Sequence, residues 1–355
     1  MRTSLEFLLE NINPLNIIKN NGEYKSALLA EYENLDKNAH NADSFFQILV
    51  PPGYLGLLEQ ILEILQEHDF AKYEKVHKGS PFYLLAINSF RIEDFERAVF
   101  YMDAAINEDI KNHKDIPNTP AKLFFRLDSE IRDQAAFFIV CKINDSLKSL
   151  FDDVKDEGGP IYNINLIVKY LLENSINNKP ELRTIASSFL SFVMEFETRN
   201  RHIMLYSDPV GTGEPFFLHL LKGCVIFESL LVNSEIAKEI VSEDNRKSKK
   251  ENRSPRSKTL KFFLEKKMLY QKLNCEAKPE GLNPKSFADL MDNIYKIKND
   301  SDYSLKTIKI VWGLRNTIGH SISWTKLNLK EYNLLYTYTF GAICLVLDKL
   351  YKGNS

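Results

Sequence analysis

Apolar residues recur at every third or fourth position through most of the chain, and this spacing limits the fold more than any other feature. It is the period of an α-helix that buries one face. Runs with strict alternation of apolar and polar residues, which would indicate strands, are scarce. The sequence therefore predicts an all-α protein, with its clearest helices over residues 57–65, 82–92, 95–106, 135–151, 164–172, 185–196, 216–232 and 332–350.

The length and the charge of the chain narrow its class. Its 355 residues suggest two domains, which we place at 1–185 and 186–355. The formal net charge of −2 excludes a protein whose whole surface attracts nucleic acid, so any such contact must come from a local patch. Neither a G-x-G-x-x-G nor a G-x-x-x-x-G-K-[ST] motif occurs, which removes the main support for a dinucleotide or nucleoside triphosphate site.

Cysteine spacing and hydropathy favour a soluble protein of the cytoplasm. The four cysteines are far apart in sequence, which indicates reduced thiols and no disulfide framework. Acidic residues and asparagines interrupt the apolar N-terminal stretch, unlike a signal peptide. The most apolar run, 216–232, contains His219, Lys222 and Glu228, so we expect a buried helix and no membrane contact. We expect His219 to be a hydrogen-bonded core residue.

The first predicted domain contains a helix pair over residues 81–110 whose large and small residues are spaced as in a tetratricopeptide repeat. Small residues such as Ala86, Ala98 and Ala105 would let two antiparallel helices approach closely. A second copy is not evident, and solenoids need several repeats to bury their faces. The pair is therefore interpreted as a TPR-like repeat or, equally, as an ordinary helical hairpin in a regulatory or interaction domain.

The second predicted domain contains a basic segment over residues 243–258 that has no apolar residue. A segment of this composition cannot contribute to a core, so we expect an exposed, mobile loop inserted in the domain. It is interpreted either as a phosphate-contacting arm or as a solvated loop. Its candidate RNA-binding residues are Arg246, Lys247, Lys249, Lys250, Arg253, Arg256 and Lys258.

The strongest candidate motif lies near the C-terminus, where Arg315 and Asn316 precede His320. The apolar spacing predicts that Arg315 lies on a helix, beside a buried stripe, and that Gly319 ends this helix. Positions five residues apart on a helix diverge by about 140°. His320 can therefore meet Arg315 only if the chain leaves the helix near Gly319. A last long helix follows.

This arrangement resembles the HEPN family of helical ribonucleases, whose signature is an arginine, a polar residue and a histidine a few positions later. The resemblance covers roughly residues 186–352. It implies a metal-independent endoribonuclease without a cofactor, acting on single-stranded RNA as a homodimer in which Arg315 and His320 of both chains converge. Relatives of this kind commonly serve as toxins or effectors in prokaryotic antiviral defence, with a separate domain that senses a protein or a ligand.

The chemistry of RNA cleavage accounts for the residue types. A histidine side chain exchanges a proton near neutral pH, as the attack of a 2′-hydroxyl on phosphorus requires. An arginine stays charged and can bind two phosphate oxygens with its planar fork. Asn316 would position the substrate or His320. No compact group of histidines, cysteines and acids has the spacing of a metal site.

Other interpretations of these residues stay open. In one of them, Arg315 pairs with an acid and His320 caps a helix, in a non-catalytic helical interaction protein. A third possibility is a HEPN toxin that a separate nucleotidyltransferase controls. A second cluster with Glu197, Arg199 and His202 would either line the same cleft or, as we favour, form charge pairs at a solvated helix end.

Overall fold

The computed structural model confirms the all-α class and divides the chain into two compact units, 1–139 and 140–355. Within the part of the chain that it describes, every regular element is a helix and no strand occurs. The structure describes residues 7–8, 22–28, 30, 55–68, 70–75, 77–112, 116–177, 179–205, 213–250, 259–279, 282, 284, 286–297, 302–320 and 329–352.

The helices lie close to the positions that the apolar periodicity predicts. A helical segment at 22–28 comes before the elements that are labelled below. These are α1 (Leu55–His68), α2 (Phe70–Lys75), α3 (Gly79–Arg91), α4 (Phe95–Asn112), α5 (Pro120–Phe125), α6 (Gln134–Asp156), α7 (Ile164–Ile167), α8 (Asn174–Asn177), α9 (Arg183–Leu205), α10 (Glu214–Asn233), α11 (Glu235–Lys250), α12 (Leu260–Leu264), α13 (Lys267–Lys272), α14 (Phe287–Ile297), α15 (Tyr303–His320) and α16 (Leu329–Val346). Single π-helical turns at Val168–Glu173 and Leu347–Tyr351 and a 3₁₀ turn at Pro180–Leu182 complete the set.

Helices α3 and α4 form the hairpin that the sequence predicts in the N-terminal unit. A short turn joins them, with Glu93 in the left-handed region at φ 61°. The three small residues Ala86, Ala98 and Ala105 are fully buried. The close approach of the two helices follows from these small side chains. Assignment to a true TPR-like repeat stays a prediction.

The C-terminal unit begins earlier than the predicted boundary near residue 185. The segment 140–182 packs with the last helix of the chain, since the rings of Phe151 and Phe340 lie 5.5 Å apart and the Tyr338 hydroxyl donates to Glu157 at 2.8 Å. Burial of the apolar face of α6 against α16 places these residues in the C-terminal unit. The observed division after residue 139 therefore differs from our boundary.

Helices α9, α10, α15 and α16 form the centre of this unit. Aromatic rings fill the space between α9 and α16, with the ring centroids of Phe196 and Tyr336 3.8 Å apart and those of Phe192 and Tyr336 4.6 Å apart. Gly223 lets α10 approach α9 and α16 closely. A Cβ atom at Gly223 would lie 2.5 Å from Thr339 and 2.6 Å from Phe192, so only glycine fits without a shift.

Two described helices, Glu214–Asn233 and Leu329–Tyr351, have the length and apolar character of a membrane span. Their most apolar windows are 56% and 83% buried inside the protein, respectively. Burial in the bundle accounts for much of this apolar character, in line with the buried helix predicted for 216–232.

The prediction of a mobile loop over 243–258 is wrong for its first half, because α11 continues to Lys250. Buried positions Ala237, Ile240, Asp244 and Ser248 follow each other three or four residues apart, which is the spacing of one helix face. Two of the four are polar, so the apolar pattern alone does not reveal this face. Residues 251–258 lie outside the described part of the chain.

Candidate functional site

Helix α15 carries the Arg315–His320 motif. Its buried face includes Ile310, Leu314 and Ile318, which are at most 4% exposed. Packing of this face fixes the rotation of the helix and leaves Arg315 and Asn316 partly exposed beside it.

The prediction that Gly319 ends this helix is wrong, because the helix continues through His320. The glycine here keeps helical backbone, so the predicted exit of the chain is absent. Positions 315 and 320 are thus separated by about 140° around the axis and about 7.5 Å along it. One α15 helix does not present both positions on one face.

Glu228 of α10 holds the Arg315 guanidinium. Arg315 Nε donates to Glu228 Oε2 at 3.0 Å, and the two side chains are 39% and 21% exposed. The Nη groups of Arg315 donate no hydrogen bond to any residue that the structure describes. The acid partner expected under the non-catalytic interpretation is therefore present, yet it uses only one edge of the guanidinium.

Asn316 and Thr317 follow Arg315 on the helix. The Thr317 hydroxyl donates to the Gly313 carbonyl one turn earlier, at 2.8 Å. The amide of Asn316 makes no hydrogen bond within the described residues and is partly exposed. The Thr317 hydroxyl is therefore engaged within its own helix, whereas the Asn316 amide has no described partner.

The second cluster, on α9, forms no hydrogen bond or ion pair with Arg315 among the described residues. Glu197 pairs with Lys142 at 3.0 Å and accepts from the Ser146 hydroxyl at 2.9 Å, both on α6. Arg199 pairs with Glu195 one turn earlier, at 3.4 Å. His202 is exposed near the end of the helix. Arg199 therefore forms a charge pair within its own helix, as the favoured interpretation predicts, whereas the partners of Glu197 lie on another helix.

The basic segment contributes two described cationic side chains. Arg246 and Lys247 are exposed on α11, and Lys247 pairs with Glu243 at 2.6 Å. Lys249 and Lys250 lie on the same helix, but their side chains fall outside the described part, as do Arg253, Arg256 and Lys258. The structure therefore places the first two candidates on the exposed face of a helix rather than in a loop.

His219 is a core residue, as predicted. It is 2% exposed, its Nε2–H donates to the Phe192 carbonyl at 2.8 Å, and its Nδ1 accepts from the Tyr332 hydroxyl at 2.7 Å. The carbonyl can only accept, so this pattern assigns the neutral Nε2–H tautomer. Burial lowers the pKa of His219 to about 4.

Next to it lies a polar cluster that the sequence analysis does not identify. Glu195, 8% exposed, accepts from the Ser191 hydroxyl at 2.7 Å and from Lys222 Nζ at 2.6 Å. Lys222 also donates to Ser191, at 2.8 Å. Ser191 is 1% exposed and its proton is engaged, so it is not placed as a nucleophile. In the sequence, this cluster is indicated only by the spacing of Ser191, Glu195 and Arg199, which are four residues apart.

Comparison with protein-family models, with curated proteins and with solved structures found no match to this chain. Within the described ranges, no group of three or more histidines, cysteines and acids is arranged to hold a metal ion.

Proposed function

We propose that this chain is a HEPN-type endoribonuclease that cleaves single-stranded RNA without a metal, with Arg315, Asn316 and His320 as its catalytic residues. The observation that carries the proposal is the Arg315 guanidinium. It is 39% exposed and fixed through Nε by Glu228. Its Nη groups donate to no described residue, so they remain available for two phosphate oxygens.

The reaction follows from these groups. His320 takes the proton of the ribose 2′-hydroxyl, whose oxygen attacks the adjacent phosphorus while Arg315 neutralises the phosphoryl oxygens. The bond from phosphorus to the 5′-oxygen breaks, and a protonated histidine returns a proton to this leaving group. The products are a 2′,3′-cyclic phosphate and a 5′-hydroxyl, so no outside oxidant or nucleophile is needed.

A homodimer supports this chemistry better than one chain. Arg315 and His320 are separated by about 140° on α15, so a second copy is needed to bring an arginine and a histidine to one phosphate. Helix α10, whose Glu228 holds Arg315, also carries exposed apolar residues. Leu218 and Val225 on α10 are 46% and 50% exposed, and Val225 lies one helical turn from Glu228. The second copy seats on this surface.

The remaining parts of the chain have roles under the same proposal. Arg246 and Lys247 on α11 supply sequence-independent phosphate contacts, which weaken as salt rises. The N-terminal unit regulates the nuclease through a protein partner or a ligand. The enzyme acts in the cytoplasm as an effector of prokaryotic antiviral defence.

The test is cleavage of a labelled single-stranded RNA pool in EDTA by the full chain. We expect the wild-type protein to cleave and His320→Ala and Arg315→Ala to lose about 100-fold or more of the rate, because each removes a group from the reacting phosphate. Arg201→Ala, which changes an exposed arginine on α9, is the matched control and should keep full activity. Undiminished cleavage by His320→Ala would contradict the proposal.

The Arg315–Glu228 pair also supports a second candidate, a non-catalytic helical interaction protein in which the pair joins α10 to α15. In that case Arg315→Ala and Glu228→Gln lower the thermal unfolding midpoint by similar amounts, and neither alters RNA. The cleavage assay separates the two functions, because the pair contributes to stability under both of them.

A further inference from the structure

The N-terminal unit contains a cavity of about 680 Å³ that the nuclease chemistry does not use. Three segments line it. Helix α3 contributes Ser80, Tyr83 and Leu84, which share one helix face, α5 contributes Leu123, and the chain before α6 contributes residues 130–133. Its volume lies within the range of pockets that bind small organic molecules, roughly 300–1,000 Å³.

Tyr83 provides an unused hydrogen-bond donor in the wall of this cavity. Its side chain is 8% exposed, and its hydroxyl is buried without a hydrogen-bond partner among the described residues. Burial and the nearby Asp133 carboxylate raise the pKa of Tyr83, so the hydroxyl keeps its proton. A buried hydroxyl without a partner is unfavourable, and a ligand that accepts this hydrogen bond would relieve the cost.

The third lining segment, residues 130–133, contributes charges of both signs. Glu130 and Arg132 are exposed, and their side chains make no hydrogen bond or ion pair with any described residue. Asp133 is partly buried and accepts from the Ala136 amide at 2.8 Å, which caps α6. The second oxygen of the Asp133 carboxylate makes no hydrogen bond within the same part of the chain.

The balance of charge and apolar surface selects the ligand. The two carboxylates in the lining disfavour a phosphorylated ligand, whereas Arg132 disfavours a simple cation. Leu84, Leu123 and Ile131 give the cavity an apolar wall. A ligand that satisfies all of these groups carries one positive charge, one negative charge and an apolar body.

We propose that this cavity binds a free apolar amino acid. Its ammonium group pairs with the carboxylates of Glu130 and Asp133. Its carboxylate accepts from the Arg132 guanidinium and the Tyr83 hydroxyl, and its side chain packs on the apolar wall.

Ligand-observed NMR titration of the full chain tests this site with L-leucine, L-phenylalanine and L-tryptophan as probes. At least one should bind saturably with a Kd of about 1 mM or lower. For L-phenylalanine the matched analogues are 3-phenylpropanoate, which lacks the ammonium group, and 2-phenylethylamine, which lacks the carboxylate. Both analogues should bind at least about 10-fold more weakly than L-phenylalanine, because each leaves the protein charges of one sign without a partner.

Two variants connect the binding to the proposed contacts. Arg132→Gln should weaken binding of the amino acid about 10-fold and leave binding of 2-phenylethylamine unchanged, since that compound has no carboxylate for Arg132. Tyr83→Phe removes only a hydroxyl without a described partner, so the protein should fold and bind several-fold more weakly. Arg91→Gln, at the exposed end of α3, is the control and should bind as the wild type does.

Three results would each overturn the assignment: no saturation by any of the amino acids up to about 10 mM, equal binding of the analogues, or full affinity in Arg132→Gln. All of them are read from binding alone, so they are independent of whether the chain cleaves RNA.

Discussion

Individual polar side chains of the C-terminal unit differ in how fully their hydrogen-bonding groups are used. Both ring nitrogens of His219 are engaged, so this histidine has a structural role. Arg315 has only Nε engaged among the described contacts, which is why it is the better candidate for chemistry. The sequence shows both residue types, but only the tertiary contacts separate a core residue from an available one.

The burial of His219 predicts how stability depends on pH. Its pKa falls from an ordinary 6.5 to about 4 on folding, so the unfolded chain binds the proton more readily. The folded state therefore has its full stability with respect to His219 above about pH 6.5, and this contribution is lost as pH falls toward 4. The loss amounts to about 1.4 kcal/mol per pH unit and about 3 kcal/mol in total.

Urea unfolding of the wild type and of His219→Gln at pH 7 and pH 4.5 checks this prediction. The variant is expected to be less stable at pH 7 and to lose less stability on acidification, because its amide does not titrate. Acidic residues other than Glu195, whose carboxylate interacts with His219, contribute the same background to both proteins. Equal losses in the two proteins would show that His219 does not carry this dependence.

At the level of elements, α10 is positioned by close packing against α9 and α16 at Gly223. Gly223→Ala should destabilise the protein by about 1–3 kcal/mol, because the new methyl group overlaps Phe192 and Thr339. Higher helix propensity offsets at most about 1 kcal/mol of this. Equilibrium unfolding in urea measures the difference.

Gly22→Ala is the matched control for Gly223→Ala. No described residue lies within 4 Å of the position that its Cβ would take, so its free energy of unfolding should stay the same or rise slightly. A loss of stability as large as that of Gly223→Ala would mean that helix backbone, and not overlap, causes the effect.

Helix α11 shows why an element can escape prediction. Its charges suit a helix, with Glu235 in the first turn and basic residues toward the end, where the helix dipole favours them. Its buried face, however, continues through Asp244 and Ser248. A search for apolar periodicity stops at Ile240 and predicts a loop too early.

At the level of the whole molecule, the proposed dimer should depend on the apolar surface of α10. Val225→Asp should convert a dimer into a monomer, because it places an unpaired charge in the interface, and RNA cleavage should be lost with it. Size-exclusion chromatography with light scattering gives the mass, and the EDTA assay gives the activity. Ile161→Asp alters an 82% exposed apolar residue elsewhere in the unit and should change neither. A dimeric, active Val225→Asp protein would exclude this surface as the interface.

The amino-acid sequence by itself determined the all-α class, the approximate position of most helices, the helical hairpin of α3 and α4, and the burial of His219. These properties depend on the spacing of apolar residues within a few turns, which is local information.

The tertiary structure alone decided which distant faces meet. It assigned residues 140–182 to the C-terminal unit, joined Arg315 to Glu228 across 87 positions, and assembled the N-terminal cavity from three separate segments. It also extended α15 through Gly319 to His320, since a glycine ends a helix only where the surrounding packing favours the turn. Contacts between residues far apart in sequence depend on which surfaces bury each other, and no local pattern specifies that choice.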